Sequence, residues 1–144
     1  MQVKEIMTEN PICCDGETGL EEVARMMVEN DCGAIPVVQD QESWKPIGII
    51  TDRDITCRAV AEGRNPLELT AEECMSPSPV TIRPEAPIEE CLREMEEHQL
   101  RRILVVDETG GCCGIVALAD VARHTGEREA GEVIEEVSRP MAER

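Results

Sequence analysis

The chain repeats itself. Met7 and Pro11 return as Met75 and Pro79 at an offset of 68 residues, and at that offset Leu20 meets Ile88, Val23 meets Cys91, Met27 meets Met95 and Val37-Val38 meets Val105-Val106. Further on the offset becomes 66, where Gly48 matches Gly114, Ile49 matches Ile115 and Asp54 matches Asp120. The two-residue difference falls between two apolar runs, which is where a hairpin loop absorbs a change of length. An ordered duplication constrains the fold more than any single element does, because each copy is one supersecondary unit with too small a core to stand alone. With 144 residues the chain is expected to hold copies at 1–68 and 69–125 and a tail at 126–144.

Both copies read in the same order. A short helical turn ends at Met7 or Met75, and a brief strand follows at Ile12–Cys14 or Val80–Ile82. A helix comes next. In the first copy Thr18 and Glu21 have capping-box spacing ahead of the stripe Leu20, Val23, Met27 and Cys32. In the second, Pro87 stands at a first helical position before Ile88, Cys91, Leu92 and Met95. Two apolar strands follow, Ile35–Val38 and Ile47–Ile50 in one copy, Ile103–Val106 and Cys113–Val116 in the other, and a second helix closes each unit. The intervening helix allows a parallel pair, whereas the short link between the next two strands demands an antiparallel one. The expected class is therefore a mixed α/β (α+β) fold of two β-α-β-β-α repeats packed about a pseudo-twofold, with a C-terminal helix. In the tail, Thr125-Gly126 reads as a helix stop, and Val133, Ile134 and Val137 share one helical face. That face can cover the chain's own core or dock on a twin.

Composition narrows the function. A formal net charge of −17, from 31 acidic and 14 basic residues, repels nucleic-acid backbones and anionic membrane surfaces. No run approaches the roughly 20 apolar residues of a membrane span, and the charged, amphipathic start is unlike a secretory signal, so a cytoplasmic protein is expected. The eight cysteines are then expected to be reduced and to serve in packing. Cys13-Cys14 and Cys112-Cys113 are neighbours in extended segments, where successive side chains diverge, so neither pair chelates one metal, and no metal site is expected. Trp44 is the sole aromatic residue, which leaves a base to lie between aliphatic side chains. Catalytic patterns are missing: there is no GxxxxGK loop, no metal-ligand spacing and no Cys-His pairing to activate a nucleophile, and the chain is not expected to be an enzyme.

Ile6-Met7, then Gly33-Ala34-Ile35-Pro36-Val37-Val38, then Gly48-Ile49-Ile50-Thr51-Asp52-Arg53-Asp54 resemble one CBS repeat in its usual order. The second copy is similar through Cys74-Met75, the run from His98 to Asp107, and Gly114-Ile115-Val116 followed by Asp120. The whole is similar to stand-alone bacterial CBS pairs of the hypoxic response protein type. The resemblance implies two related clefts between the repeats and an adenosyl small molecule as ligand: AMP, ADP, ATP, NAD(H) or S-adenosylmethionine, with no cofactor required. It also implies a homodimer that signals to a regulated protein in trans, whose identity is unknown. A ligand-free dimeric interaction scaffold is the alternative.

The residue types suit such a ligand. Thr51 and Asp54 open the second helix directly after a strand, a carboxylate there can accept two hydrogen bonds from a ribose diol, and the helix start with Arg53 offers N–H groups and charge to phosphate. The family pattern carries ribose contact onto Thr51 and Asp54. Gly33 and Ala34, ahead of Pro36, leave room for close approach to the backbone, and Ile49 supplies an aliphatic wall. Thr51-x-x-Asp54 also has the spacing of a simple helix cap, so a structural role for the pair stays open. The second copy departs from the pattern. Ala117 replaces the hydroxyl and Leu104 the proline, leaving Arg101, Arg102, Ile115 and Asp120 as a possible second cleft. Arg58 and His124, equivalent at the offset of 66, are candidates to face the clefts from the second helices.

Overall fold

The computed structural model describes residues 1–124 and 126–140. A 3-10 turn at Val3–Glu5 leads to β1 (Thr8–Glu9), β2 (Cys14–Asp15), α1 (Leu20–Glu29), β3 (Ala34–Val38), β4 (Pro46–Thr51) and α2 (Asp52–Ile55), which continues as a π-helical turn at Thr56–Val60. After a 3-10 turn at Pro66–Glu68 the order returns as α3 (Ala71–Cys74), β5 (Ser76–Pro77), β6 (Thr81–Ile82), α4 (Ile88–His98), β7 (Arg102–Val106), β8 (Cys112–Ala117) and α5 (Leu118–His124), with α6 (Glu127–Val137) beyond the repeat. The fold is mixed α+β, and its strands form two four-stranded sheets in the orders β2-β3-β4-β5 and β1-β8-β7-β6. As the connection lengths require, β2 runs parallel to β3 and β6 to β7, while β3 and β4 are antiparallel.

Sheet membership does not follow the sequence copies. β1, from the start of the first copy, pairs with β8 through Thr8–Ile115 and Glu9–Gly114. β5, from the start of the second copy, pairs with β4 through Ile49–Ser76 and Gly48–Pro77. The bond after each short strand repeats as well: Asn10 N–H donates to Cys113 O at 3.0 Å and Ser78 N–H to Ile47 O at 3.1 Å. Both residues take left-handed φ, 48° at Asn10 and 52° at Ser78, although neither is glycine. One compact unit accordingly comprises Pro11–Pro79 with Glu108–Cys112, and the other Met1–Asn10, Val80–Asp107 and the chain from Cys113 on.

Each unit has its own apolar core. Leu20, Val23 and Met27 on α1 meet Ile35 and Val37 of β3 and Ile50 of β4, and Leu69, Ala71 and Cys74 complete that core from the segment leading into β5. Ile88, Cys91, Leu92 and Met95 on α4 meet Ile103 and Val105 of β7 and Val116 of β8, completed by Val3 and Ile6 from the amino-terminal turn. Those helical positions have the i, i+3, i+4, i+7 spacing of one buried face. Both helices end alike, with Cys32 N–H donating to Met27 O at 3.1 Å and Leu100 N–H to Met95 O at 2.9 Å, after a left-handed Asp31 or Gln99. The Thr18–Glu21 capping box does not form. Gly19 is the N-cap, while Thr18 Oγ1 donates to Asp15 Oδ1 and accepts from Asp15 N, so it braces the β2 turn instead. In the tail, α6 packs on its own unit through Ala130, Val133 and Val137, leaving Ile134 42% exposed. Thr125 lies outside the described residues.

Two glycines carry the short strands. A Cβ at Gly48 would overlap Met75 Sδ and lie 2.8 Å from Ser76 O, and one at Gly114 would overlap Met7 Sδ but stay 3.3 Å from Thr8 O. A methionine tip can swing away, whereas a backbone oxygen moves only with its strand. Gly48→Ala is therefore expected to destabilise the protein by about 1–3 kcal/mol, and Gly114→Ala by clearly less. Urea denaturation of the two variants measures the difference.

Candidate functional site

Four of the residues singled out in the first copy form two cross-strand pairs. Ala34 is opposite Thr51 and Pro36 is opposite Ile49, while the alternate pair, Ile35 and Ile50, enters the core. Strand alternation therefore puts Ala34, Pro36, Ile49 and Thr51 together on the sheet face turned away from that core. Gly33 adjoins this face at the end of β3, and its carbonyl accepts from Asp52 N at 3.0 Å.

Thr51 and Asp54 form a reciprocal cap. Asp54 N donates to Thr51 Oγ1 at 3.1 Å and Thr51 N to Asp54 Oδ2 at 3.0 Å. The Thr51 hydroxyl proton is left to donate, and Asp54 Oδ1 is left to accept, 3.8 Å from Arg58 Nε. A donor beside an acceptor suits a vicinal diol. Phosphate binding on the helix start is not available in the expected form, since the first three N–H groups are engaged: Asp52 N by Gly33 O, Arg53 N by Asp52 Oδ1 at 2.8 Å, and Asp54 N by Thr51. Positive charge at this corner comes from the exposed Arg53 side chain and from Arg58 beside Asp54.

Arg58 lies beside Asp54 and is committed to other partners as well. Its Nη1 donates to Met75 O at 2.6 Å and Cys74 O at 3.3 Å, and Nη2 to Ser76 Oγ at 3.4 Å, so it ties the end of α3 and the start of β5 to the π-helical turn. A sequence separation of 16 to 18 residues hid this role. His124 is likewise committed, with Nδ1 2.8 Å from Asp120 O on its own helix.

In the second copy the backbone of the corner and its carboxylate are kept, and the hydroxyl and the glycine are not. Leu118 N donates to Arg101 O at 2.9 Å, matching the Asp52–Gly33 bond, and Asp120 Oδ2 accepts from Ala117 N at 2.9 Å. Ala117 has no hydroxyl to return the cap. Arg101 is exposed where the first copy has Gly33, and Arg102, Ile115 and Asp120 are half-buried. A groove of about 560 Å³ between α4 and α6 is lined by Glu96, Glu97, Glu132, Glu135 and Glu136 with Arg93 and Arg139. Its excess of carboxylates repels an anionic nucleotide.

All eight cysteines are thiols. Burial, above all, pushes Cys14 up to about 12 and Cys91 up to about 11, and it also raises Cys74. Among the described residues no three of His, Cys, Asp and Glu converge to hold a metal ion, and no helix is long and apolar enough to cross a membrane.

The CBS domain family model matches residues 3–59 and 71–127. Hypoxic response protein 1 of Mycobacterium tuberculosis is 36% identical over 139 residues, spanning 96% of this chain and 95% of that protein. A crystal structure of Hypoxic Response Protein I with two coordinated zinc ions superposes with a TM-score of 0.77, at 36% identity, over 88% of this chain and 100% of that one. The CBS domain pair of protein MJ0100, in complex with 5′-methylthioadenosine and S-adenosyl-L-methionine, gives a TM-score of 0.76 at 28% identity, with 88% of this chain and 100% of that one covered.

Two measurements follow from the caps and the thiols. Thr51→Ala is expected to cost about 1 kcal/mol, and Ala117→Thr to add up to about 1 kcal/mol by completing the second cap, both read from denaturation midpoints. Cys14 and Cys91 stay protonated in the folded chain to higher pH than the ordinary value of 9.0. The unfolded chain then binds fewer protons, so stability is expected to fall as pH rises from 9.0 toward about 11. Melting temperatures across that range, compared with those of Cys91→Ala, test the assignment.

Proposed function

This chain belongs to the CBS-domain family, and we propose that it is a ligand-sensing regulatory module whose principal site is the strand-to-helix corner of the first copy. The ligand is an adenosine-containing molecule: AMP, ADP, ATP, NAD(H) or S-adenosylmethionine. The observation that carries this reading is the asymmetry of the two corners. In the first, half-buried Ile49 and the buried Ala34 and Pro36 form an aliphatic sheet face beside the Thr51 hydroxyl and the Asp54 carboxylate, and Gly33 adds no side chain there. The base rests on the aliphatic surface and the ribose diol on Thr51 and Asp54, while Arg53 meets the phosphate or other anionic group. The adenosyl ligands of the MJ0100 domain pair support the ligand class.

The module acts as a homodimer and passes its state to a protein in trans, because a ligand that binds one arrangement better than another shifts the population between them. A ligand-free dimeric scaffold is the second reading. It draws on the second copy, where Arg101 and Ala117 leave an incomplete corner.

Calorimetric titration with AMP, ADP, ATP, NADH and S-adenosylmethionine tests the proposal on the parent chain and on Gly33→Arg, which installs the second copy's residue in the first. Gly33 lacks a left-handed φ and the three atoms nearest a Cβ there belong to the Asp52 carboxylate, at 3.0 Å or more, a side chain that can turn aside, so the variant should fold. Saturable binding in the parent, weakened at least tenfold (about 1.4 kcal/mol) in the variant, is expected. Heat for none of the ligands at saturating concentration would favour the scaffold.

A further inference from the structure

We propose that Cys13 and Cys112 form a dithiol pair that closes reversibly to a disulfide and so joins the two sequence copies covalently. The pairing arises from the geometry that prevents chelation within each cysteine doublet. Extended backbone sends neighbouring side chains to opposite faces. Cys14 enters the first-copy core, where it is 3% exposed, and Cys113 packs against the other core. The remaining member of each doublet, Cys13 and Cys112, is turned away from those cores and half-buried.

The exchanged strand then brings the two together. β1 runs antiparallel along β8 with Thr8 opposite Ile115 and Glu9 opposite Gly114, and Asn10 N donates to Cys113 O at 3.0 Å. Continuing in that direction, Pro11 to Cys13 come alongside Cys112. The Cys13 thiol contacts Pro11 O at 3.3 Å and hydrogen-bonds with the Cys112 side chain. Cys112 is fixed in turn, its N–H donating to Trp44 O at 2.7 Å, and both cysteines lie in the same compact unit. The positions that match them by the repeat offsets hold Thr81 and Pro46, so no packing rule shared by the copies asks for thiols here.

The hydrogen bond to Cys112, then burial, then the charge on Cys112 hold the Cys13 thiol far above its ordinary range. Whichever sulfur ionises first attacks, and the balance is the same with Cys13 and Cys112 exchanged. With a small-molecule disulfide such as oxidised glutathione as the oxidant, the Cys112 thiolate attacks one of its sulfurs, and the S–S bond of the oxidant breaks to release one thiolate. Cys13 next gives up its proton to solvent or to the departing thiolate and attacks the Cys112 sulfur, releasing the second thiolate. Two protein thiols are oxidised to one disulfide, and one glutathione disulfide is reduced to two thiols.

The folded, full-length chain is equilibrated in buffers of increasing oxidised-to-reduced glutathione ratio, quenched with acid and an alkylating agent, digested with trypsin and mapped by mass spectrometry. Peptides 5–25 and 103–123 are expected to appear as one linked species, with fragmentation placing the bond between Cys13 and Cys112. The species should vanish on reduction with dithiothreitol and be missing in Cys13→Ser and Cys112→Ser. A parent chain that yields no linked species at any ratio overturns the proposal, as does fragmentation placing the bond at Cys14 or Cys113. The fragmentation readout uses the parent chain alone, so it decides the question even where a variant fails to fold. Neither result depends on nucleotide binding.

Discussion

The close approach of two methionine-bearing segments to two glycines is the constraint around which this fold is organised. Met7 lies over Gly114 and Met75 over Gly48, each methionine coming from one sequence copy and each glycine from the other. A β-carbon at either glycine would hold the incoming strand off its neighbour. The contact admits β1 to the β8 edge and β5 to the β4 edge, and it carries with it the residues that complete each core: Val3 and Ile6 on one side, Leu69, Ala71 and Cys74 on the other. A sheet edge left bare is a site for unwanted pairing, and here each copy's leading segment covers the other's edge. The sequence repeat and the folding unit are thus different objects.

Once that exchange is in place, the two units can diverge in side chains while keeping the same backbone. The bond from the second helix to the carbonyl before the third strand survives as Asp52–Gly33 and as Leu118–Arg101, and the left-handed residues recur at Asn10 and Ser78 and at Asp31 and Gln99. The corner chemistry did not survive in both. One unit keeps a hydroxyl, a carboxylate and an open glycine, and the other has exchanged the hydroxyl for a methyl and the glycine for an arginine. The second unit holds the same backbone with the backbone bond and one carboxylate cap, without the second cap bond that the Thr51 hydroxyl makes in the first.

Much of this was legible in the sequence because the relevant signals are periodic. The stripes at Leu20, Val23, Met27 and at Ile88, Cys91, Leu92, Met95 predict α1 and α4, and the apolar runs predict β3, β4, β7 and β8 to within one residue at either end. The common face of Ala34, Pro36, Ile49 and Thr51 follows from alternation once the hairpin register is known. β2 and β6 are marked by short apolar runs, whereas β1 (Thr8–Glu9) and β5 (Ser76–Pro77) hold no apolar run to mark them. The left-handed positions that recur between the copies fall on Asn10, Asp31, Ser78 and Gln99, where no glycine marks them. Thr18 had two local uses, and the turn at Asp15 outcompeted the helix cap. Arg58 and the meeting of Cys13 with Cys112 depend on the strand exchange itself, which no local pattern encodes.

The exchange also sets a timetable for a chain made from its amino terminus. Residues Pro11–Pro79 supply all of one unit except Glu108–Cys112. The first ten residues belong to the other unit, whose last strand ends at Ala117. At about 5–20 residues per second, Val3 and Ile6 wait roughly 5–20 seconds for the partners that bury them. Through that interval the apolar side chains of the amino-terminal segment lack the residues that bury them, and the order of assembly is written into which strand lies beside which.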